Sequence, residues 1–404
     1  MIDGYKESPL GIIPITWETK TLGELLEVNT GAKNAQDSIL DGKYAFFTRS
    51  ITTQRIDSFS HDTEALFIAG EGVFKVKHYN GKFDVHQRTY VLTAKDKSNC
   101  SLKFFQNQIQ SRIIKLVDTS VGSTVQSLRK PIIQELKLVI PPLPEQQKIA
   151  EILSTVDDKI EVIDQQIIET QELKKGLMQR LLTKGIGHTE FKDSPLGMIP
   201  KSWYYGTISN LIPEKGAIKT GPFGSAITKS MYVGSGYKIY GQEQVIADNP
   251  NIGNYFINEE KFNELKRYEI KTGDLLISLV GTLGKVLVIE KNALRGIINP
   301  RLLKITPNQK EYSSYFLKQL LTSDDIQNQM TKMSVGGTMS IINGTIIKSI
   351  KTIKPPLEEQ IKISKILSAV DEKLEILSEK KTNYQVLKQG LMQQLLTGKI
   401  RVNV

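Results

Sequence analysis

The feature that most constrains this chain is an internal duplication. The segment "PPLPEQQKIAEILSTVDDKIEVI" beginning at Pro141 recurs as "PPLEEQIKISKILSAVDEKLEIL" beginning at Pro355, an offset of 214 residues. About half of the positions between Pro141 and Ile186 are identical to their counterparts. "SVGST" at Ser120 recurs at the same offset as "SVGGT" at Ser334. Self-similarity at a fixed spacing indicates a repeated structural unit, so the chain should fold as two versions of one architecture.

A second repeated motif opens each copy. "ESPLGIIPITW" ends at Trp17 and "DSPLGMIPKSW" ends at Trp203, an offset of 186 residues. Because the two offsets differ by 28 residues, the part between the opening motif and the repeated helix is longer in the second copy. A weaker similarity, "LFIAGEG" at Leu66 against "LLISLVG" at Leu275, has an offset of 209. Each repeat therefore consists of an opening motif, a middle that differs between the copies, and a helix that is similar in both.

The conserved segments predict two long helices. Apolar residues alternate in steps of four and three over about five heptads, which is typical of a coiled coil; an ordinary long hairpin in a core is the alternative. Pro144 suits a first helical turn and Gly185 a helix end. The predicted seams are Ile149, Leu153, Val156, Ile160, Ile163, Ile167, Thr170, Lys174, Leu177 and Leu181, then Ile363, Leu367, Val370, Leu374, Leu377, Lys381, Tyr384, Lys388, Leu391 and Leu395.

The direction of the two helices follows from the connection between them. A helix of this length extends on the order of 57 Å, whereas a compact middle of this size has a radius of gyration of about 15 Å. Its two ends cannot lie a helix length apart, so we expect antiparallel helices with the variable domains at opposite ends. Gly176 and Gly390 occupy matched positions within the helices. They indicate either close approach of another backbone, such as a partner subunit, or a kink or close packing within the pair.

Both middles contain strand and helix patterns, which predicts an α+β domain in each. Asn80-Gly81 favours a hairpin turn between two strands. "DLLISLVGTLGKVLVI" predicts two apolar strands interrupted at Gly281 to Gly284, and "FNELKRY" and "SSYFLKQLL" predict helices. The expected domain limits are 1–140 for the first variable domain, 141–185 for the first long helix, 186–354 for the second variable domain and 355–404 for the second long helix.

Composition excludes several classes of protein. The chain of 404 residues contains one cysteine and four scattered histidines, so neither a disulfide framework nor a Cys/His zinc site is expected. There is no apolar run of the about 18 residues that a membrane span needs, and the start lacks a secretory pattern. We therefore expect a cytoplasmic protein that does not associate with membranes.

The charge is unevenly distributed. The formal net charge is +10, and the helical segments 145–185 and 358–404 contribute almost nothing to it, with 6 Lys/Arg against 8 Asp/Glu and 8 against 6. Residues 1–144 hold 18 Lys/Arg against 15 Asp/Glu, and residues 186–357 hold 21 against 14. Two basic domains joined by a rigid spacer are suited to contacting phosphates at two places along a duplex.

Taken together, "PPLPEQ" leading into a helix that ends in "GLMQRLLT", the "SPLGxIPxxW" opening motif and the duplication resemble the specificity (S) subunit of type I restriction–modification systems, over nearly the full chain. The resemblance implies two target recognition domains, each reading one half of a bipartite site in double-stranded DNA. It implies that the paired helices fix the gap between the half-sites. It further implies that adenine methyltransferase (M) subunits, two of them, dock on the scaffold and that restriction (R) subunits join for cleavage.

The same resemblance implies that the start of each middle and its glycine-rich turns face DNA. Arg and Gln can bind guanine and adenine edges in bidentate fashion, whereas Lys, Ser and Thr mostly contact phosphates. Each candidate has a plain alternative as a solvated surface residue or a turn constraint. The candidates in the first domain are Lys33, Asn34, Gln87, Arg88, Ser123, Thr124 and Gln126, and those in the second are Lys219, Ser225, Thr282, Lys285, Arg301 and Thr338.

No catalytic motif stands out. "GTLGK" lacks the first glycine of a phosphate-binding loop, because Leu279 occupies that position. The Asn/Asp-Pro-Pro-aromatic signature of adenine methyltransferases is absent from the sequence. We expect a chain that is not an enzyme and binds no cofactor, with S-adenosylmethionine, ATP and Mg²⁺ bound only by partner subunits. A fused restriction–modification enzyme with a degenerate centre and a coiled-coil scaffold that never binds DNA are the competing hypotheses.

Overall fold

The computed structural model describes residues 3–119, 127–280, 282, 284–334 and 342–404. It contains two compact units. The first unit comprises Met1–Gln166 and Leu377–Val404, and the second comprises Ile167–Ile376. Each long helix is shared between the units, so that each unit holds one α+β domain together with parts of both helices.

The first unit is built on a six-stranded sheet of order β4-β9-β7-β8-β5-β6, with two small two-stranded sheets, β1-β2 and β10-β3. Apolar residues of the sheet and of α2 form its main core. Its elements are β1 Tyr5–Ser8, β2 Gly11–Pro14, β3 Glu18–Thr21, α1 Leu22–Leu25, β4 Leu26–Thr30, β5 Tyr44–Phe47, β6 Gln54–Ile56, β7 His61–Ala69, β8 Lys77–Val85, β9 Thr89–Ala94, α2 Leu102–Thr119, α3 Lys130–Gln134 and β10 Lys137–Ile140.

The predicted hairpin turn at Asn80-Gly81 is wrong. Both residues lie inside β8, where Asn80 is the register partner of Glu64 and Gly81 that of Thr63 on β7. The strand runs through because β7 pairs with β8 continuously from Lys77 to Phe83, and β5 pairs in parallel with Phe83 to Val85 just beyond. Pairing with β7 therefore overrides the local turn preference, and Gly81 adopts a φ of 135° within the strand.

The second unit contains a four-stranded sheet, β14-β20-β17-β18, and a three-stranded sheet, β16-β15-β19, with two small sheets, β11-β12 and β13-β21. Its elements are β11 Phe191–Lys192, β12 Ile199–Pro200, β13 Tyr204–Thr207, α5 Ile208–Leu211, β14 Ile218–Thr220, β15 Tyr237–Tyr240, α6 Gln242–Ile246, β16 Phe256–Ile257, α7 Glu259–Glu264, β17 Leu275–Ser278, β18 Val286–Val288, β19 Gly296–Ile298, β20 Leu302–Ile305, α8 Ser314–Leu321, α9 Asp324–Met333, α10 Gly344–Ser349 and β21 Lys351–Lys354.

Several expectations for the second middle are confirmed. The run "DLLISLVGTLGKVLVI" forms the antiparallel pair β17 and β18. "FNELKRY" contributes to α7 and a following 3₁₀ turn, and "SSYFLKQLL" forms α8. The expected α+β class therefore holds for both units.

The two long helices are α4, Leu143–Lys184, and α11, Leu357–Leu395. In the first unit, Asp157 pairs with Lys388 at 2.6 Å and Asp164 with Lys381 at 2.5 Å. Advancing along α4 thus means going back along α11, so the helices are antiparallel, as expected. In the second unit, Lys174 pairs with Asp371 at 2.5 Å in the same register. These ion pairs explain why three seam positions are lysines.

The start of one long helix and the end of the other close the core of each unit. In the first unit Ile149 and Leu153 of α4 join Leu395 of α11 in the core around Trp17. In the second unit Ile363 and Leu367 of α11 join Leu181 of α4 around Trp203. The long helices therefore act both as a coiled coil and as part of each core, which combines the two alternatives that the heptad pattern leaves open.

The repeated opening motif binds the first turn of a long helix in each unit. The indole Nε1 of Trp17 donates to Glu145 Oε2 at 3.2 Å, and Arg401 Nε donates to the same oxygen at 2.9 Å. In the second unit, Trp203 Nε1 donates to Glu359 Oε2 at 2.8 Å. Both tryptophans are fully buried. The opening motif and the "PPLPEQ" motif recur together because they form the two sides of one joint.

The glutamine that follows each of these glutamates completes the joint. Gln146 accepts from Ser101 N at 3.0 Å and donates to Pro141 O at 2.9 Å. At matched positions, Gln360 accepts from Ser313 N at 2.9 Å and donates to Pro355 O at 2.8 Å. Buried polar groups need such partners, so each glutamine fixes the start of its helix to the adjoining domain.

Gly176 and Gly390 lie within uninterrupted helix and are exposed. An added Cβ would meet no atom within 4 Å at either position among the described residues. Close packing within the helix pair therefore does not explain why glycine occupies these two positions. Gly185, by contrast, follows the last residue of α4 with a φ of 65°, which confirms it as the helix end.

In the described part of the chain, no helix is both long enough and apolar enough to span a bilayer.

Candidate nucleic-acid interface

Four of the predicted residues come together at one edge of the sheet in the first unit. Gln87 N donates to Lys33 O at 2.9 Å, and the Gln87 side chain donates to Asn34 Oδ1 at 2.7 Å. The chain leaving β4 crosses the end of β8 closely, because a Cβ at Gly31 would collide with Val85 O. Only glycine permits this crossing, which brings "TGAKN" next to "HQR".

Arg88 lies in a tight turn before β9. The Nδ1 of His86 accepts from Arg88 N at 3.0 Å, and Thr89 N donates to His86 O at 2.9 Å. Burial lowers the pKa of His86, which favours the neutral imidazole, and the hydrogen bond from Arg88 N requires Nδ1 to be the unprotonated nitrogen. His86 thereby holds the backbone of the turn while the Arg88 side chain extends into solvent.

Two residues that the sequence did not single out form an ion-pair network with Arg88. Glu71 accepts from Arg88 Nη1 at 2.8 Å through Oε1 and from Arg49 Nη1 at 3.0 Å through Oε2. The hydrogen bond from Arg88 holds the pKa of the Glu71 carboxyl below its ordinary value, so the group is ionised at neutral pH. Glu71 is the sixth residue of the segment "LFIAGEG". If this segment is paired with "QRTYVLT" as a neighbouring strand, Glu71 lies beside Arg88.

Ser123, Thr124 and Gln126 lie outside the described residues. The chain that follows them returns to this edge, because Ser127 forms a β-bridge with Glu71 and Leu128 N donates to Gly70 O at 2.9 Å.

The second unit contains a matching turn at Arg301. Asn299 Oδ1 accepts from Arg301 N at 2.9 Å, and Leu302 N donates to Asn299 O at 3.2 Å. The chain leaving β14 crosses it closely, because a Cβ at Gly221 would collide with Asn299 O. Asn299 thus takes the role that His86 has in the first unit, and glycine is again required at the crossing.

Backbone hydrogen bonds establish that the two turns are equivalent. Gly70 N donates to Arg88 O at 2.9 Å, and Leu279 N donates to Arg301 O at 3.0 Å. Gly70 and Leu279 differ by the offset of 209 that the weak sequence similarity has. Ile342 N donates to Leu279 O at 3.1 Å, as Leu128 N does to Gly70 O. We call residues 86–88 and 299–301 the arginine turns.

Among the described residues, no other candidate of the second unit forms a hydrogen bond with this turn. Thr282 and Lys285 are exposed in the connection from β17 to β18, where Ser278 Oγ donates to Thr282 O and accepts from Lys285 N at 3.2 Å. Ser225 is exposed in a 3₁₀ turn spanning Gly224–Ala226. Thr338 lies outside the described residues.

Lys219 belongs to a different surface. Its Nζ donates to Arg267 O at 3.1 Å. It lines a cavity of about 560 Å³ whose other basic residues were not predicted, namely Lys215, Lys266, Arg267, Lys271 and Lys304. This concentration of cations accounts for part of the positive excess of residues 186–357.

Among the described residues, no group of three or more His, Cys, Asp or Glu side chains could hold a metal ion. The arginine turns carry donors and positive charge, which are the groups that contact phosphates and base edges.

Comparison with known proteins identifies the class to which this fold and these turns belong. The family model described as "Type I restriction modification DNA specificity domain" matches residues 14–172 and 224–386, once in each repeat. The chain therefore belongs to the type I restriction–modification DNA specificity family. This confirms the resemblance drawn from the repeated motifs.

Individual relatives agree over the full length. The chain is 27% identical to the type I restriction enzyme MjaVIII specificity subunit of Methanocaldococcus jannaschii, covering 99% of this chain and 96% of the relative. It is 28% identical to the putative MjaX specificity subunit of the same organism, covering 99% and 97%. The crystal structure of the type I S subunit from M. genitalium shares its fold with a TM-score of 0.63 at 18% identity, covering 96% of each chain.

Proposed function

We propose that this chain is the non-catalytic DNA-recognition subunit of a type I restriction–modification complex, in which each domain reads one half of a bipartite duplex site. The observation that carries the proposal is the arginine turn. The same backbone bonds hold an exposed arginine at equivalent positions of both units, which is what two readers of two half-sites require.

The chemistry of the turns supports base recognition. An arginine fork binds O6 and N7 of guanine in bidentate fashion, and each such pair discriminates against the wrong base by about 1–3 kcal/mol. Gln87 lies beside Arg88 and can pair with adenine. Lys33, Ser225, Thr282 and Lys285 are of the residue types that mostly contact phosphates. The positive excess of the two domains supplies the part of the affinity that does not depend on sequence.

The long helices are proposed to set the gap between half-sites and to dock the M subunits, of which two are expected because the chain is duplicated. An α4 of 42 residues and an α11 of 39 residues provide a stiff spacer when paired. R subunits would join for cleavage, and S-adenosylmethionine, ATP and Mg²⁺ would be bound by the partners.

The test is to reconstitute the chain with its M subunits and to determine methylated adenines by sequencing. Arg88→Ala should relax the base preference of one half-site and Arg301→Ala that of the other, so each variant is the matched control for the other. A wild-type complex without a bipartite motif, or variants that both affect the same half-site, would contradict the proposal.

The spacer role has its own test. Removing seven residues from each long helix at matched positions should shorten the gap between half-sites and leave the half-sites unchanged. An unchanged gap would rule out the spacer role. Replacing residues 18–119 by another recognition domain should change one half-site only, and a change in both would show that the domains do not read independently.

A further inference from the structure

Two positions besides the arginine are equivalent in the two units and belong to the hydrogen-bond network around it. His86 N donates to Phe47 O and Asn299 N donates to Tyr240 O, both at 2.9 Å. Arg49 and Gln242 each lie two residues after these acceptors. Glu71 and Val280 each directly follow the residue that donates to the arginine carbonyl. The three positions are therefore Arg49, Glu71 and Arg88 in the first unit and, listed in the same order, Gln242, Val280 and Arg301 in the second; we call them the trio.

In the first unit the trio is an ion-pair network. Glu71 lies between the two guanidinium groups, with Nη1 of Arg88 at 2.8 and 3.0 Å from its two carboxylate oxygens and Nη1 of Arg49 at 3.0 Å. The side chains of Arg49 and Arg88 are 45% and 58% exposed, and that of Glu71 is 25% exposed. A guanidinium has five donors in a rigid fork. A carboxylate that binds Nη1 therefore orients the fork without occupying all of it.

In the second unit the trio is neutral apart from the arginine. The Gln242 amide donates to Val280 O, and Gln242 Oε1 accepts from Arg301 Nη1 at 3.5 Å. Backbone atoms of position 280 replace the Glu71 carboxylate, and an amide replaces the second guanidinium. Arg301 is thus held by Gln242, a weaker and uncharged partner, whereas Arg88 is held by Glu71.

We propose that the trio sets the base preference of each recognition domain. This inference rests on the proposed function and refines it. Arg88 and Arg301 contact base edges, and Glu71 is a positioning residue that fixes the angle of the Arg88 fork. Arg49 and Gln242 contact the adjoining base. Arg49 in the first domain is suited to guanine, and the Gln242 amide in the second domain is suited to adenine. Different neighbours around a common arginine would give the two domains different half-sites.

The experiment transplants the second trio into the first unit. The double variant Arg49→Gln/Glu71→Val gives both domains the same three side chains and leaves the net charge unchanged. Complexes with M subunits would be assayed on duplexes randomised in one half-site at a time. We expect methylation of the wild-type first half-site to fall roughly 5- to 150-fold, the range for one bidentate contact, with a new preference appearing there and the second half-site unaltered.

The matched control is Glu18→Val/Lys20→Gln, which removes another exposed ion pair, at 3.0 Å on β3, with the same change of charge. It should leave both half-sites as in the wild type. If Arg49→Gln/Glu71→Val keeps the wild-type preference and rate, or if the control changes the preference as much, the inference is overturned.

Two further variants separate positioning from folding. Glu71→Asp retains the charge and should recover part of the wild-type preference, whereas Glu71→Ala should not; a purely structural role would alter thermal stability without changing the preferred bases. If the double variant does not fold, Glu71→Gln replaces it under the same two outcomes. A wild-type complex that shows no bipartite motif would refute the proposed function itself. A wild-type complex that shows a bipartite motif, together with trio variants that leave this motif unchanged, would refute only the inference about the trio.

Discussion

Replacing the two mid-helix glycines should stabilise the long helices. At Gly176 and Gly390 a Cβ would meet no described atom within 4 Å, so alanine introduces no clash. Glycine is about 1 kcal/mol less favourable than alanine inside a helix, and compatible Gly→Ala substitutions stabilise proteins by about 0.4–1 kcal/mol. Gly176→Ala and Gly390→Ala should each add a free energy of this size to the local stability of their helices.

Hydrogen exchange of the full-length chain, followed by mass spectrometry, measures the effect where it occurs. A gain of about 0.4–1 kcal/mol slows exchange through local opening roughly two- to fivefold. Peptides covering 170–183 should show this for Gly176→Ala and peptides covering 384–395 for Gly390→Ala. Because the two sites do not share a partner, their effects should add in the double variant.

Gly185→Ala is the matched control of opposite sign. Gly185 has a φ of 65°, and its Cβ would lie 2.6 Å from the Trp203 ring and would collide with Glu359. A left-handed conformation costs a residue with a Cβ about 1–2 kcal/mol, and crowding a packed core costs about 1–3 kcal/mol more. Exchange near 185 should accelerate. Faster exchange in Gly176→Ala or Gly390→Ala would refute the reasoning, because it would mean that the helices pack closely at these glycines.

Three other predictions concern residues of the first unit, with Leu173 of the second unit as one control. Burial raises the pKa of the Cys100 thiol to about 12, so iodoacetamide at pH 8 should alkylate it roughly 10³-fold more slowly in the native chain than in urea; equal rates would contradict this. Leu153→Ala should lower the free energy of unfolding by about 2–5 kcal/mol, since Leu153 is fully buried, whereas the exposed Leu173→Ala should change it by less than about 0.5 kcal/mol. A double-mutant cycle of Asp157→Ala and Lys388→Ala should give a coupling of about 0.3–1 kcal/mol, and zero coupling would argue against the antiparallel register.

The elements that the sequence predicts well are those whose pattern is local and repeated. The seam of the long helices recurs every seven residues over about five heptads, and tertiary contacts only reinforce it, as the ion pair of Lys174 with Asp371 shows. Gly185 was predictable because a helix end with positive φ favours glycine. Strands β17 and β18 were predictable because their apolar runs are interrupted by glycines.

The features that escaped prediction depend on neighbours distant in sequence. Asn80-Gly81 has the local preference of a turn, but pairing of both residues with β7 keeps β8 extended. Glu71 and Arg49 are separated by 22 residues, so only strand pairing shows that Glu71 reaches Arg88 and that Arg49 binds the same carboxylate. The grouping of Lys33, Asn34, Gln87 and Arg88 was expected from the family resemblance, and their role in DNA binding stays a prediction.

The two repeats share their side chains in the joint, whereas at the trio they share only the backbone arrangement and the arginine. The joint uses identical side chains in both copies: a tryptophan, a glutamate and a glutamine, at Trp17, Glu145 and Gln146 and at their counterparts. Two of the three trio positions differ, although the backbone bonds of the arginine turn are the same. The side chains of His86 and Asn299 hydrogen-bond the backbone of their own turns. The side chains at Arg49, Glu71 and their counterparts can therefore change without disturbing that backbone. Under the proposed function, a chain built in this way would acquire a new half-site by a few substitutions at one edge of a sheet while its attachment to the helices stays fixed.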